Sequence, residues 1–211
     1  GLGDVYKRQV LSVGGELVKP GVEKEPGKIY DANRFFLVAA LERLGCIPIN
    51  LGIVGDEREQ IRSLILKGLD EADLLVVTGG TSAGGSDLTL EALRDVEGFK
   101  PVFHGVSIRP GKPLAAATVK GKPVIFLPGY PAAAMLTFIL FVEKVLGWML
   151  EAVFPGRVRV KGRLTRKVYS YPGVLDLVRV KVKRGKEDLL IEPVRTLGLG
   201  LLPPYLEPML F

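Results

Sequence analysis

Short apolar runs alternate with longer stretches of helical spacing along most of this chain. Val10–Val13, Ile47–Val54, Leu74–Thr78 and Val102–Val106 read as strands. Phe36, Leu37, Ala40, Leu41 and Leu44 keep the spacing of one helix face, in a helix that Asp31 or Asn33 caps. Asp56 followed by Glu59 resembles a capping box and opens a second helix through Leu69. Leu88–Arg94 reads as a third helix. Leu114–Val119 and Pro123–Leu127 flank Lys120–Gly121–Lys122, a hairpin signal. Pro128–Gly129–Tyr130–Pro131 is a stiff turn that opens a long helix to about Leu150. Strands alternating with helices predict an α/β fold, a mostly parallel sheet sandwiched by helices. After Pro155 the pattern changes to short alternating runs with no long helix, over Arg157–Leu164, Val174–Val182 and Leu189–Val194. The expected division is an α/β domain over residues 1–154 and a small C-terminal β domain over 155–211.

Composition narrows the classes. Of the 211 residues 47% are hydrophobic and 25% charged, which fits a packed globule and not a disordered chain. The single cysteine, Cys46, excludes an internal disulfide, and the absence of a CxxC pair or a histidine cluster argues against zinc. A net charge of +6 suits an anionic small molecule. The basic residues are spread and do not interleave with aromatics, so no nucleic-acid partner is expected. The apolar stretch Ala132–Val142 is shorter than the roughly 20 residues that span a bilayer, and a core helix rather than a membrane segment is expected. Gly1–Gln9 fits no element and lacks the apolar centre of a signal peptide.

The richest chemistry lies between Thr78 and Leu88. Gly79, Gly80, Thr81, Ser82, Ala83, Gly84, Gly85, Ser86 and Asp87 join a buried strand to a helix. Glycines let the backbone turn sharply and approach a ligand, and amides exposed beside a helix start suit phosphate. Asp87 is either a metal ligand for Mg²⁺ or a helix cap. Glu16 follows a Gly-Gly turn at a strand end, where a carboxylate holds a metal, positions water or merely faces solvent. Asp56 reads first as a cap, at an edge where caps also face ligands. Arg109 and Lys112 flank the Pro110–Gly111 turn, which Pro113 also stiffens, so an oxyanion between the two cations is a natural partner. The only histidine, His104, follows a strand and reads as structural. Every one of these loops leaves a strand at its carboxyl end, where ligands of parallel sheets sit.

Taken together, five stretches resemble the MoeA-type molybdopterin molybdenumtransferases, in an archaeal-looking form. They are Gly15–Glu16–Leu17–Val18, the run from Pro26 to Asn33, Gly79 to Gly84 with Asp87, the run from His104 to Pro113, and Gly121–Lys122–Pro123 continuing through Leu127–Pro128–Gly129–Tyr130–Pro131. They follow the family's order over about residues 10–150. The resemblance implies a molybdopterin-binding α/β domain and a β-barrel-like C-terminal domain. It also implies insertion of molybdate into adenylylated molybdopterin, with Mg²⁺-dependent hydrolysis of the adenylyl bond and release of AMP. By position, Glu16, Asp56 and Asp87 match the acidic catalytic residues, with Asp87 and Glu16 as the metal holders. Arg109 and Lys112 match the cations near molybdate, and Arg179 a basic residue from the β domain. Gly79, Gly80, Thr81, Ser82, Gly84, Gly111, Pro113, Pro128, Gly129 and Pro131 fall in the substrate-binding loops. A cytoplasmic homodimer of a full-length protein is implied, with the pterin nucleotide and molybdate as small-molecule partners. Lysine is usual where Arg109 stands and serine where Ala133 stands, and the end at Thr196–Phe211 lacks the family's small-hydroxyl loop. Two domains that normally precede the first strand are missing, so a C-terminal part of a longer enzyme is expected. The related MogA-type adenylyltransferase and a non-catalytic pterin-binding scaffold are the alternatives.

Overall fold

The computed structural model describes residues 7–80, 87–154, 157–186 and 188–194. In chain order the elements are β1 (Lys7–Val13), β2 (Leu17–Val18), β3 (Ile29–Tyr30), α1 (Asn33–Arg43), β4 (Ile47–Val54), α2 (Arg58–Glu71) and β5 (Leu74–Gly79). There follow α3 (Leu88–Leu93), β6 (Phe99–His104), β7 (Ile108–Arg109), β8 (Ala115–Val119) and β9 (Lys122–Leu127). A continuous helix comes next: α4 (Pro131–Thr137), a π-helical stretch over Phe138–Val142, and α5 (Glu143–Met149). The last strands are β10 (Arg163–Leu164), β11 (Leu175–Asp176), β12 (Val180–Arg184) and β13 (Leu189–Pro193).

Six strands make the central sheet in the order β4-β1-β5-β9-β8-β6. The first four run parallel, and β8 is antiparallel to both its neighbours. Because β8 reverses direction and β6 reverses it again, β6 points the same way as β9. Its last residue, His104, therefore reaches the same sheet edge as Val13, Val54, Gly79 and Leu127.

Period-two alternation explains the two cores. Leu11, Val13, Leu75, Val77, Val124 and Phe126 face α2 and α3, where Ile61, Ile65, Leu69, Ala92 and Leu93 meet them. The interleaved Val10, Leu74, Val76, Ile125 and Leu127 face α1 and the long helix, against Leu37, Leu41, Ala134, Phe138, Val142 and Leu146. Cys46 is buried in this second core, and burial raises its thiol pKa. The helix over Pro131–Met149 is long and apolar enough to cross a membrane by length and composition alone. Here it lays one stripe against the sheet.

Several elements differ from the sequence reading. β1 starts at Lys7, not Val10, and buries the polar Arg8 and Gln9. Burial is tolerated because Arg8 Nη1 pairs with Asp73 at 3.0 Å. β6 starts three residues and ends two residues earlier than predicted. The loop before α1 contains a small parallel pairing of β2 with β3. α2 begins at Arg58 after Glu57, without a side-chain cap, so the capping box expected at Asp56 does not form. The hairpin of β8 and β9 turns on Lys120 (φ +50°) and Gly121 (φ +80°), the double positive φ of a two-residue turn. Downstream, β10, β13 and β12 form one three-stranded sheet, while β11 pairs in parallel with β7. Only Arg163–Leu164 of the expected Arg157–Leu164 run is a strand, and the run Val174–Val182 is divided between β11 and β12.

Candidate functional site

A cavity of about 330 Å³ opens at the carboxyl edge of the sheet, over the ends of β1, β5 and β9. Of the residues singled out in the sequence, Glu16, Gly79, Gly129 and Pro131 line it. Ser12, Asp31, Asn33 and Thr78 line it too. A larger hollow of about 500 Å³ lies on the C-terminal sheet among Arg166, Lys181, Lys183 and Glu192. It takes in none of the residues singled out beyond the strands of the central sheet, so ligand chemistry is placed at the smaller cavity.

The cavity wall is built by two hydrogen-bond networks. Asp31, almost fully buried, accepts from Ser12 Oγ (3.0 Å), Arg34 Nε (2.7 Å) and the Arg34 amide (3.2 Å). The last bond ties Asp31 to the first turn of α1, whose N-cap position is Ala32 and carries no side-chain cap; Asn33 is the first helical residue. Arg34 Nη1 also donates to Asn50 Oδ1 at 2.8 Å. Asn33 spends both amide protons across the sheet edge, on Thr78 Oγ1 (2.9 Å) and the Gly129 carbonyl (2.7 Å). Thr78 Oγ1 in turn donates to the Pro128 carbonyl at 3.2 Å. These bonds hold α1, β5 and the Pro128–Pro131 turn in one relative position. The sequence signal for them was modest: a threonine closing an apolar strand, and two polar residues at a helix start.

Next to this wall, the ends of β1 and β4 are joined. Asp56 Oδ2 accepts from the Gly15 amide at 2.8 Å, and Lys28 Nζ donates to the Gly15 carbonyl at 2.7 Å. Glu16 is exposed, and its carboxylate folds back towards Gly14, where an added Cβ would lie 2.7 Å from Oε2. Asp87 is buried. Its Oδ1 accepts from Thr89 Oγ1 (2.8 Å) and the Leu90 amide (3.4 Å), a true cap of α3. Its Oδ2 lies 2.9 Å from His104 Nε2.

Asp56, Asp87, Arg109, Lys112 and Arg179 do not line the cavity among the described residues. Gly80 ends the described part of the glycine loop at φ +65°, and Thr81, Ser82 and Gly84 lie outside the described residues. Gly111 is buried, and a Cβ there would meet Thr137 Cγ2 at 2.7 Å, so this loop lies tight on α4. Pro113 is half-buried and Lys112 exposed. Arg179 sits just before β12 and accepts the Val194 amide through its carbonyl at 2.9 Å. Ala133 is buried in the first turn of α4.

Arg109 is not a free cation beside Lys112. Its Nε pairs with Asp176 Oδ1 at 2.6 Å, and its guanidinium stacks 4.8 Å from the Tyr171 ring centre. Ser170 Oγ donates to Asp176 Oδ2 at 2.5 Å, and this bond first, then Arg109, holds the Asp176 carboxyl below its ordinary value of 3.8. A lowered carboxylate stabilises the fold fully above its unfolded pKa and loses that contribution as pH falls through the folded one. Stability at the β7–β11 contact is therefore expected to drop only below about 3.8. Acid titration followed by limited proteolysis checks this, and Asp176→Asn should remove the pH-dependent part.

The family model described as a probable molybdopterin binding domain matches residues 9–148. A molybdopterin biosynthesis protein of Methanocaldococcus jannaschii is 34% identical over 206 residues, covering 94% of this chain and 48% of that protein. The molybdopterin molybdenumtransferase of Haemophilus influenzae is 36% identical over 137 residues, 65% of this chain and 33% of the relative. A crystal structure of a molybdopterin biosynthesis MoeA protein from Pyrococcus horikoshii matches with a TM-score of 0.73 and 36% identity, over 90% of this chain and 45% of the other. The chain thus spans about half the length, or less, of the curated relatives it matches.

Proposed function

Because the chain belongs to the molybdopterin-binding domain family, we propose that it carries the catalytic α/β unit of a molybdopterin molybdenumtransferase, acting in molybdenum cofactor biosynthesis. The observation that carries this reading is the cavity at the carboxyl edge, where Glu16, Gly79, Gly129 and Pro131 come together. The start of the long helix at Pro131 and the glycine backbone at Gly79 and Gly80 offer amides to a phosphate. The pterin nucleotide lies along that edge, with Thr81, Ser82 and Gly84 in the phosphate loop. Lys112 and Arg109 serve the molybdate end, the arginine through whatever donors Asp176 leaves open.

The acidic residues suit a hard cation. Asp87 Oδ2 is buried and accepts no aligned hydrogen bond among the described residues. Glu16 offers an exposed carboxylate just past the end of β1. No cluster of three ligating side chains occurs among the described residues, but Mg²⁺ keeps several waters and needs only one or two carboxylates beside substrate phosphates. Asp87 and Glu16 would hold Mg²⁺, which supplies neutralisation of the charge that develops on the phosphates. Asp56 positions Gly15 and thereby Glu16.

The test is AMP release from adenylylated molybdopterin by the full-length protein. Release should require molybdate and Mg²⁺ and fall by about 10–100-fold in Asp87→Asn, the scale of a damaged metal site. Wild-type release by Asp87→Asn would sink the assignment. ATP consumption that depends on molybdopterin and ignores molybdate would move the chain to the adenylylation step.

A further inference from the structure

Asp87 presents two very different oxygens. Oδ1 is fixed by Thr89 Oγ1 and the Leu90 amide. Oδ2, in a side chain only 5% exposed, is buried without an aligned donor among the described residues. The imidazole of His104 stands close to it, with Nε2 at 2.9 Å. That imidazole comes from the end of β6, at the far side of the sheet from β1, and its side chain is 57% exposed. Gly105 follows at φ +83°. The carboxylate is therefore the fixed member of the pair and the imidazole the one free to move. A buried carboxylate oxygen with a close but poorly aligned partner is incompletely compensated for its lost hydration.

We propose that His104 is a place-holder on Asp87: its Nε2 occupies the position at Oδ2 that a divalent cation takes, and it swings out when the cation enters. This rests on the reading of Asp87 as a metal-holding carboxylate. The apparent affinity for the cation is then reduced by the fraction of time in which Oδ2 is covered. By linkage, a bound cation releases the imidazole to the same extent. His104 acts through Asp87 and is a positioning residue. A half-exposed pair of this kind is weak, so the hold is light: removing the imidazole should tighten cation binding roughly two- to fivefold.

The chain has one histidine, so its imidazole resonance is an unambiguous reporter that does not depend on turnover. Mn²⁺ is the binding probe, measured by electron paramagnetic resonance on wild type, His104→Ala, His104→Gln and Asp87→Asn. Asparagine caps helices about as well as aspartate, which keeps α3 intact in the last variant. His104→Ala should bind Mn²⁺ roughly two- to fivefold more tightly than wild type, with His104→Gln between them. In wild type, stepwise Mg²⁺ should shift the His104 imidazole signals and saturate with the same midpoint as Mg²⁺ displacement of Mn²⁺. Asp87→Asn should lose both responses. Equal or weaker Mn²⁺ binding by His104→Ala overturns the place-holder. If binding is still lost in Asp87→Asn, the metal role of Asp87 survives that result. Equal binding by wild type and Asp87→Asn, or none by either, removes both ideas together.

Discussion

A Gly79→Ala variant is expected to lose about 3 kcal/mol or more of folding stability, and with it the shape of the cavity. Gly79 closes β5 at φ +85°, a conformation that costs an L side chain roughly 1–3 kcal/mol. The added Cβ would also stand 2.1 Å from the Val13 carbonyl oxygen. That oxygen belongs to β1, whose Val13 is in register with Gly79. Neither strand can retreat without opening the centre of the sheet. On the other side Gly129 approaches so closely that its own Cβ would lie 3.5 Å from Gly79 Cα. Gly121→Ala is the control. It has φ +80° and nothing within 4 Å of an added Cβ, so it reports the backbone penalty alone. Denaturant unfolding of the two variants separates the terms. Equal losses would mean that the sheet yields at Val13 and that crowding adds nothing.

The second large effect is expected at Asp31. Removing one partner of a buried ion pair costs about 3–5 kcal/mol, because the other charge stays behind. In Asp31→Ala the Arg34 guanidinium, with its side chain only 6% exposed, would keep the Asn50 carbonyl oxygen but no carboxylate. Ser12 Oγ would lose its acceptor under the cavity floor. The double variant Asp31→Ala/Arg34→Leu should recover part of the loss, since no buried cation remains. Thermal melts of the single and double variants check this. A single variant as stable as wild type would show that water reaches Arg34 and replaces the carboxylate.

The sheet was readable because its signal is local. Ile47–Val54 coincides with β4, and the two-residue turn at Lys120–Gly121 follows from glycine between alternating runs. What went unread depends on partners far along the chain. Lys7–Gln9 fitted no element on sequence alone, yet Arg8 finds Asp73, sixty-five positions on. β6 was displaced because its residues are mostly exposed at a sheet edge, where apolarity carries little information, and its bounds follow the pairing with β8. Glu16, Gly79, Gly129 and Pro131 reach one cavity because all four sit at the ends of neighbouring parallel strands. Asn33 looked like a cap, and nothing local foretold that its amide would bridge to Thr78 and Gly129. Arg109 looked like a free cation for the same reason: Asp176 and Tyr171 lie more than sixty positions downstream.

That last pairing bears on how the molecule can be dissected. A protein shortened to end after the long helix would retain the six strands and both cores. It would nevertheless strip Ile108–Arg109 of its neighbouring backbone and leave the guanidinium with neither acid nor ring. Oxyanions would then meet an arginine that the longer chain has already engaged, and affinities measured on such a fragment would describe a grip the longer chain does not possess.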